Sequence, residues 1–244
     1  MFKKKSVMSK VLLGILCCTA CGNSSNIDFL ENNKDQLNIY HTDGKTIISQ
    51  QHLSEMDKDY SILENVRDSS EVIIKGTVMR QEGTFVSRGG APWTFYGVEI
   101  EEVLRGNMED KTIVVGEQQG YSTLKEKIEK YPDVLAERVL EEYKVYTEEE
   151  LENIYLYESN GSPLLTEGDT LILALVNKNL KGLDGDFWAI TAEAYGKFYE
   201  SADKNYKRIV DDYESETYSE NCKNDINPKS SQIYSYEELE NAFR

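Results

Sequence analysis

Histidine is nearly missing from this 244-residue chain: only His41 and His52 occur. Neither stands in an H-E-x-x-H pair, and His41 precedes an Asp43-Gly44 turn signal, so histidine-based zinc hydrolysis has no ligand set. Cysteine is as sparse, with four in all. Cys17, Cys18 and Cys21 crowd the N-terminus and Cys222 stands alone, which excludes a disulfide scaffold and leaves Cys222 as a spare thiol or an intermolecular bridge. Cations are outnumbered, 27 Lys and Arg against 44 Asp and Glu, for a formal net charge of −17. Such a surface repels phosphate backbones and argues against nucleic acid as a partner. No apolar run reaches the roughly 20 residues of a membrane span, the longest being Val11–Ala20. No phosphate-cradling glycine loop occurs. Gly161-Ser162 follows a polar loop rather than a strand and so makes no nucleophile elbow. The stretch "NKNLKGLDGDFW" imitates a calcium loop, but Lys181 takes a ligand slot and Trp188 stands where a bidentate Glu is needed; it reads as a turn. No metal and no cofactor are expected.

What is present begins with an address. Lys3, Lys4, Lys5 and Lys10 precede the apolar run, and small Thr19 and Ala20 precede Cys21 and the polar "GNSS". Cationic start, short apolar core and small residues before a cut describe a secretory signal over residues 1–20. The end of the run resembles the lipobox of bacterial lipoproteins, with Cys18 where that motif usually carries Leu. The resemblance implies acylation of Cys21, loss of Cys17 and Cys18 with the signal, and anchorage on the extracytoplasmic face of the cell membrane. Two or more acyl chains hold firmly where one holds marginally. Removing the four signal lysines takes the formal charge from −17 to −21. The acyl chains, not electrostatic adsorption, would then hold the protein to its membrane.

Residues 21–35 are polar, with four Asn and two Ser, and read as a tether. Over 36–68, two apolar stretches flank Asp43-Gly44, a hairpin signal, and Tyr60, Leu63 and Val66 keep helical spacing up to Ser69. The core is expected over 69–210. In "EVIIKGTVMR", Val72, Ile74, Gly76 and Val78 share one face, and Gly76 marks a bend or a close backbone approach. In "TFYGVEIEEVLRG", Tyr96, Val98 and Ile100 alternate but Val103 falls out of phase, which predicts a β-bulge near Glu101-Glu102. "KTIVV" is a third strand. "EGDTLILALVN" is a fourth, covered on both faces. "FWAITAEAYGKFYE" is a fifth, and Lys204-Asn205 turns into "YKRIV".

A helical insertion is expected over 120–160, between strands three and four. Leu124, Ile128, Tyr131, Leu135, Val139 and Tyr143 keep helical spacing, with a new helix starting at Pro132. Thr147 with Glu150 and Ser235 with Glu238 are capping boxes, each with its staple, Tyr146 with Leu151 and Tyr234 with Leu239. The segment 211–244 reads as a polar, loosely ordered stretch to 233 and a C-terminal helix. The insertion is rich in glutamate, but consecutive Glu141-Glu142 and Glu148–Glu150 suit a solvated helix N-terminus rather than a catalytic pair across a cleft.

Taken together, the elements predict a mainly β, α+β chain: a five-stranded OB-like Greek-key barrel with a helical insertion between strands 3 and 4, an N-terminal hairpin and a C-terminal helix. The ordered segments "SSEVIIKGTV", "YGVEIEEVLRGN", "TIVV", "LLTEGDTLILAL" and "YGKF" resemble a widespread group of uncharacterised bacterial lipoproteins, and more distantly the netrin and tissue-metalloprotease-inhibitor modules. Those inhibitors chelate zinc through a free N-terminal cysteine, and an acylated Cys21 could not do so. The OB resemblance implies a ligand face at the first inter-strand loop and its exit, here Arg88, Trp93, Phe95 and Tyr96, the composition of a contact hot spot. The expected function is a membrane-anchored, non-enzymatic binding or adaptor module for an envelope protein, peptide or glycan. The rival readings are a carboxylate-dependent envelope hydrolase and a structural accessory subunit.

Overall fold

A computed structural model describes residues 25–43, 47–52, 56–131, 147–210 and 230–244, together with positions 137 and 141. The signal, Cys21, Cys222, the helix expected from Pro132 and the stretch 211–229 lie outside the described residues.

The chain opens with helix α1 (Ser25–Asn33), strand β1 (Ile47–His52) and helix α2 (Leu63–Asp68). Four strands follow: β2 (Val72–Val86), β3 (Pro92–Arg105), β4 (Thr112–Glu117) and β5 (Gly120–Thr123). After them come α3 (Leu124–Lys130), a short α4 (Glu148–Leu151) and β6 (Ile154–Ser159). The remainder is β7 (Thr170–Lys178), β8 (Phe187–Ile190), β9 (Lys197–Glu200), β10 (Tyr206–Val210), β11 (Ser230–Tyr234) and α5 (Tyr236–Phe243). The fold is mainly β, α+β. An eight-stranded mixed sheet runs β11-β10-β9-β7-β2-β3-β4-β8, and a β7–β8 pairing closes β7, β2, β3, β4 and β8 into a ring of five strands.

Alternation along each strand explains the two apolar layers. Val72, Ile74 and Val78 join Tyr96, Val98, Ile113, Val115, Leu171, Leu173, Leu175 and Ile190 in one buried cluster to which all five ring strands contribute. The opposite faces of β2 and β7, Ile73, Ile172 and Ala174, pack with Val66, Phe198, Leu239 and Phe243 beneath α2 and α5. The unbroken apolar run of β7 is thus covered on both sides. Between β2 and β3, Lys75 opposes Glu102 while Gly76 opposes Ile100, so Glu101 is the extra residue of the expected bulge. The slip lets Ile100 and Val103 both reach the ring cluster. A Cβ on Gly76 would come within 2.6 Å of the Glu99 carbonyl oxygen, the close approach its sequence position suggested.

Several expectations are corrected. The fifth strand is broken into β8 and β9, because Ala192 (φ 50°) and Glu193 (φ 53°) turn left-handed into a single 3₁₀ turn. The segment Ile190–Lys197 therefore passes opposite only Leu175–Leu173 of β7. On one side of this segment β8 joins β4 in parallel and closes the ring; on the other β9 passes the sheet on to β10. The N-terminal hairpin does not form among the described residues. Instead β1 pairs in parallel with β6, and Asn38 makes an isolated bridge to Thr84, where β2 has run past the end of β7. The insertion is only partly helical: β5 and β6 pair antiparallel and, with β1, make a separate three-stranded sheet. From α1 onward the supposed tether is part of the fold. Phe29 is 1% exposed and packs its ring 5.3 Å from Phe95 and 5.6 Å from Phe187. Residues 230–233, read as loosely ordered, form most of β11 against β10.

Both expected capping boxes are present, Thr147 with Glu150 and Ser235 with Glu238, and a third joins Thr123 to Glu126 at α3. The described part of the insertion's apolar stripe does not face outward, since Leu124 and Ile128 pack on Tyr155, Tyr157 and Leu151.

Candidate functional site

Of the four residues expected to form a ligand face, one is at the surface. Arg88 is exposed in the β2–β3 loop. Trp93, Phe95 and Tyr96 are 5%, 0% and 1% exposed. Trp93 and Phe95 pack edge-on to Phe187, at 5.6 and 5.0 Å between ring centroids, and Tyr96 points the opposite way into the ring cluster. Both faces of β3 are covered at this level, so these aromatics are core and cannot act as exposed anchors. Cys21 lies outside the described residues.

The loop itself nevertheless borders a cleft. Ser87 and Ala91 close its base, Ser87 N–H donating to the Ala91 carbonyl at 2.9 Å, and Gly90 adopts φ +77°. A Cβ on Gly90 would fall 3.1 Å from the Tyr131 ring, so only glycine lets the loop lie this close to the insertion. Facing the loop are Lys127 and Tyr131 from α3 and its C-cap, and Tyr157 and Glu158 from β6, around a cavity of about 240 Å³. Lys127 holds its Nζ 3.5 Å above the centroid of the Tyr157 ring, a cation–π contact. Burial pushes the Lys127 amine down to about 8. Tyr131 also borders a larger neighbouring groove of about 640 Å³, which Arg88, Lys130 and Lys181 line together with Glu126 and Glu129. Glu126 is already engaged there, accepting from Asn38 Nδ2 at 2.9 Å and from the Tyr40 hydroxyl while closing its capping box.

A second polar group lies inside the fold. Glu117 at the end of β4 and Lys197 at the start of β9 form an ion pair at 3.0 Å with both side chains 2% exposed. Lys197 Nζ, Gln119 Nε2 and the Tyr199 hydroxyl all donate to the Pro163 carbonyl, at 2.8, 3.0 and 3.0 Å. The Leu165 N–H and Gln119 Nε2 donate to the two oxygens of Glu117. Burial alone would lower the Lys197 amine, but the Glu117 carboxylate beside it holds it above the ordinary lysine range. Burial raises the Tyr199 phenol, and it raises Tyr96 well above the ordinary tyrosine range with Glu117 close by. This knot fastens the loop 160–165, with its left-handed Asn160 and Gly161, to the ring. Among the described residues, the buried carboxylate of Glu117 thus faces a lysine, not a second carboxylate, and the geometry of a glycosidase pair is not built here.

The calcium-like stretch is a turn, as read. Buried Asn33 clasps it, donating to the Asp184 carbonyl at 2.9 Å and accepting from the Asp184 N–H at 2.8 Å. Among the described residues, no group of three or more His, Cys, Asp or Glu side chains could hold a metal ion. No described helix is long and apolar enough to cross a membrane.

No known family, curated protein or solved structure matches the chain.

Lys127, Tyr131 and Tyr157 were not singled out by sequence as site residues. One signal could have found Lys127: it shares a helical face with Leu124, Ile128 and Tyr131, so a cation lies on an apolar stripe.

Proposed function

We propose that this protein is a lipid-anchored binding module on the extracytoplasmic face of the cell membrane. Its five-strand ring is an OB-like Greek-key barrel, and its ligand cleft lies between the β2–β3 loop and the insertion. The anchor rests on the Cys21 motif. The fold assignment is supported by the ring order and by an insertion between the third and fourth ring strands. The lipoprotein-like segments fall on β2, β3, β4, β7 and β9, in that order. The observation that carries the binding reading is the cleft itself. A half-buried amine, two tyrosines and a glycine-shaped loop converge where OB-like barrels take ligands. The partner is an envelope component, and the protein works by contact rather than by bond making.

Two measurements test this. Intact mass of the protein extracted from membranes should show a diacylglyceryl group on Cys21, and Cys21→Ala should move the protein into the soluble fraction. An unmodified N-terminus refutes the anchor. Immobilised wild-type protein should retain soluble envelope polysaccharide or peptide fragments that Tyr131→Ala loses. Equal retention by both refutes the cleft as the binding site.

A further inference from the structure

In a chain with 44 acidic residues, Lys127 stands apart. Lys125 pairs with Glu152 at 2.8 Å, Lys75 with Glu101 at 3.0 Å and Lys197 with Glu117 at 3.0 Å. Lys127 is more enclosed than Lys125, yet among the described residues no carboxylate pairs with it and its ammonium rests on the face of Tyr157. An enclosed amine without a counter-ion is an electrostatic vacancy for an anion. The rest of the lining narrows the anion's chemistry. Tyr131 offers an aromatic face, while the buried Tyr157 ring is capped by Lys127; Gln50, Gln118 and Glu158 offer an arc of amide and carboxylate groups. Glu158 is oriented by the Ser49 hydroxyl, which donates to it at 2.9 Å. Aromatic faces take the C–H face of a sugar ring, amides and a carboxylate take its hydroxyls, and an ammonium takes a carboxylate. A cavity of about 240 Å³ is below the drug-sized range and suits a single ring. A phosphoryl dianion would call for several cationic donors around its oxygens, and this cleft holds one ammonium.

Resting on the binding reading above, we propose that the cleft recognises a pyranose bearing a carboxylate, a uronic acid or the acidic residue of an envelope glycan. Lys127, seated on the Tyr157 ring, pairs with the carboxylate and Tyr131 flanks the sugar ring.

The test is a chemical-shift titration of the mature protein with D-glucuronate, D-glucose and inorganic phosphate at pH 7. Wild type should bind glucuronate at least tenfold more tightly than glucose. Lys127→Gln should lose that preference, at least tenfold on glucuronate and within twofold on glucose. Lys127→Arg, which keeps the charge, should retain most of it and shows that the loss is not misfolding. Equal affinity for glucuronate and glucose, or glucuronate binding undiminished in Lys127→Gln, overturns the carboxylate assignment while leaving the cleft a binding site. Phosphate binding with no glucuronate binding overturns the sugar. No binding of any probe overturns the ligand class, and the fragment-retention experiment with Tyr131→Ala then decides separately whether the cleft binds at all.

Discussion

Replacing Lys197 by Met should unmake the interior knot. The methionine fills similar volume, but Glu117 is left as a buried carboxylate with neutral donors, the Leu165 N–H and Gln119 Nε2 among them, and no cation beside it. Removing one member of a buried ion pair costs about 3–5 kcal/mol, chiefly because the survivor is buried without compensation. For a chain of this size that corresponds to a fall of about 6–20 °C in melting temperature. Urea unfolding of wild type, Lys197→Met, Glu117→Gln and the double variant gives both the loss and the coupling. The double variant should recover roughly 1–3 kcal/mol relative to the sum of the singles, because neither charge is then stranded. The pH dependence has a definite sign. A lysine whose folded value is raised contributes stability that is fully present below its unfolded value, near 10.5, and is lost as pH rises through the folded value. The gap between wild type and Lys197→Met should therefore be steady through neutrality and narrow only in strong alkali. A Lys197→Met variant within 1 kcal/mol of wild type, or a strictly additive double, would refute this account of the knot.

Three further outcomes are expected. Phe29→Ala empties a site between Phe95 and Phe187 and should cost about 3–5 kcal/mol in urea unfolding; a tether residue would cost nothing measurable. Gly76→Ala forces a Cβ against the Glu99 carbonyl at 2.6 Å and should cost about 1–3 kcal/mol, with shifted amide resonances confined to β2 and β3. Ser235→Ala removes the cap of α5, whose Leu239 and Phe243 are fully buried, and should cost about 1 kcal/mol, seen as faster hydrogen exchange in that helix.

The ring strands were legible because each carries a period-two pattern strong enough to survive a bulge: Val103 slipping out of phase with Ile100 pointed to the extra residue at Glu101. Helix starts were legible for the same local reason, a Ser or Thr with Glu three residues on. What escaped was non-local or lacked a local marker. Phe29 is a lone aromatic in an Asn-rich run, and only the far side of the fold shows what it docks on. The break between β8 and β9 turns through Ala192 and Glu193, where no glycine announces a left-handed residue. The parallel β1–β6 pair joins segments about a hundred residues apart, which no turn signal encodes. At the candidate site, the sequence pointed to a loop that borders a cleft, but three of the four side chains it named are buried. Trp93, Phe95 and Tyr96 looked like surface anchors because nothing local shows that β3 is covered on both faces there. Lys127 carries no local mark of enclosure beyond its place on an apolar stripe, because β6, which places Tyr157 beneath it, follows a helix-capping signal and is joined to it only in the fold.

The docking of Phe29 also sets a leash. Phe29 stands eight positions after Cys21, and even drawn out straight that stretch spans no more than about 29 Å. If Cys21 is embedded in the bilayer, the module cannot roam the periphery of the envelope. The segment just after α1, at Asp35 and Asn38, forms one bank of the groove beside the cleft, so the same anchor would keep that bank within reach of the headgroups. Its quarry would be whatever lies flat along that surface, met at a fixed height and from a restricted angle.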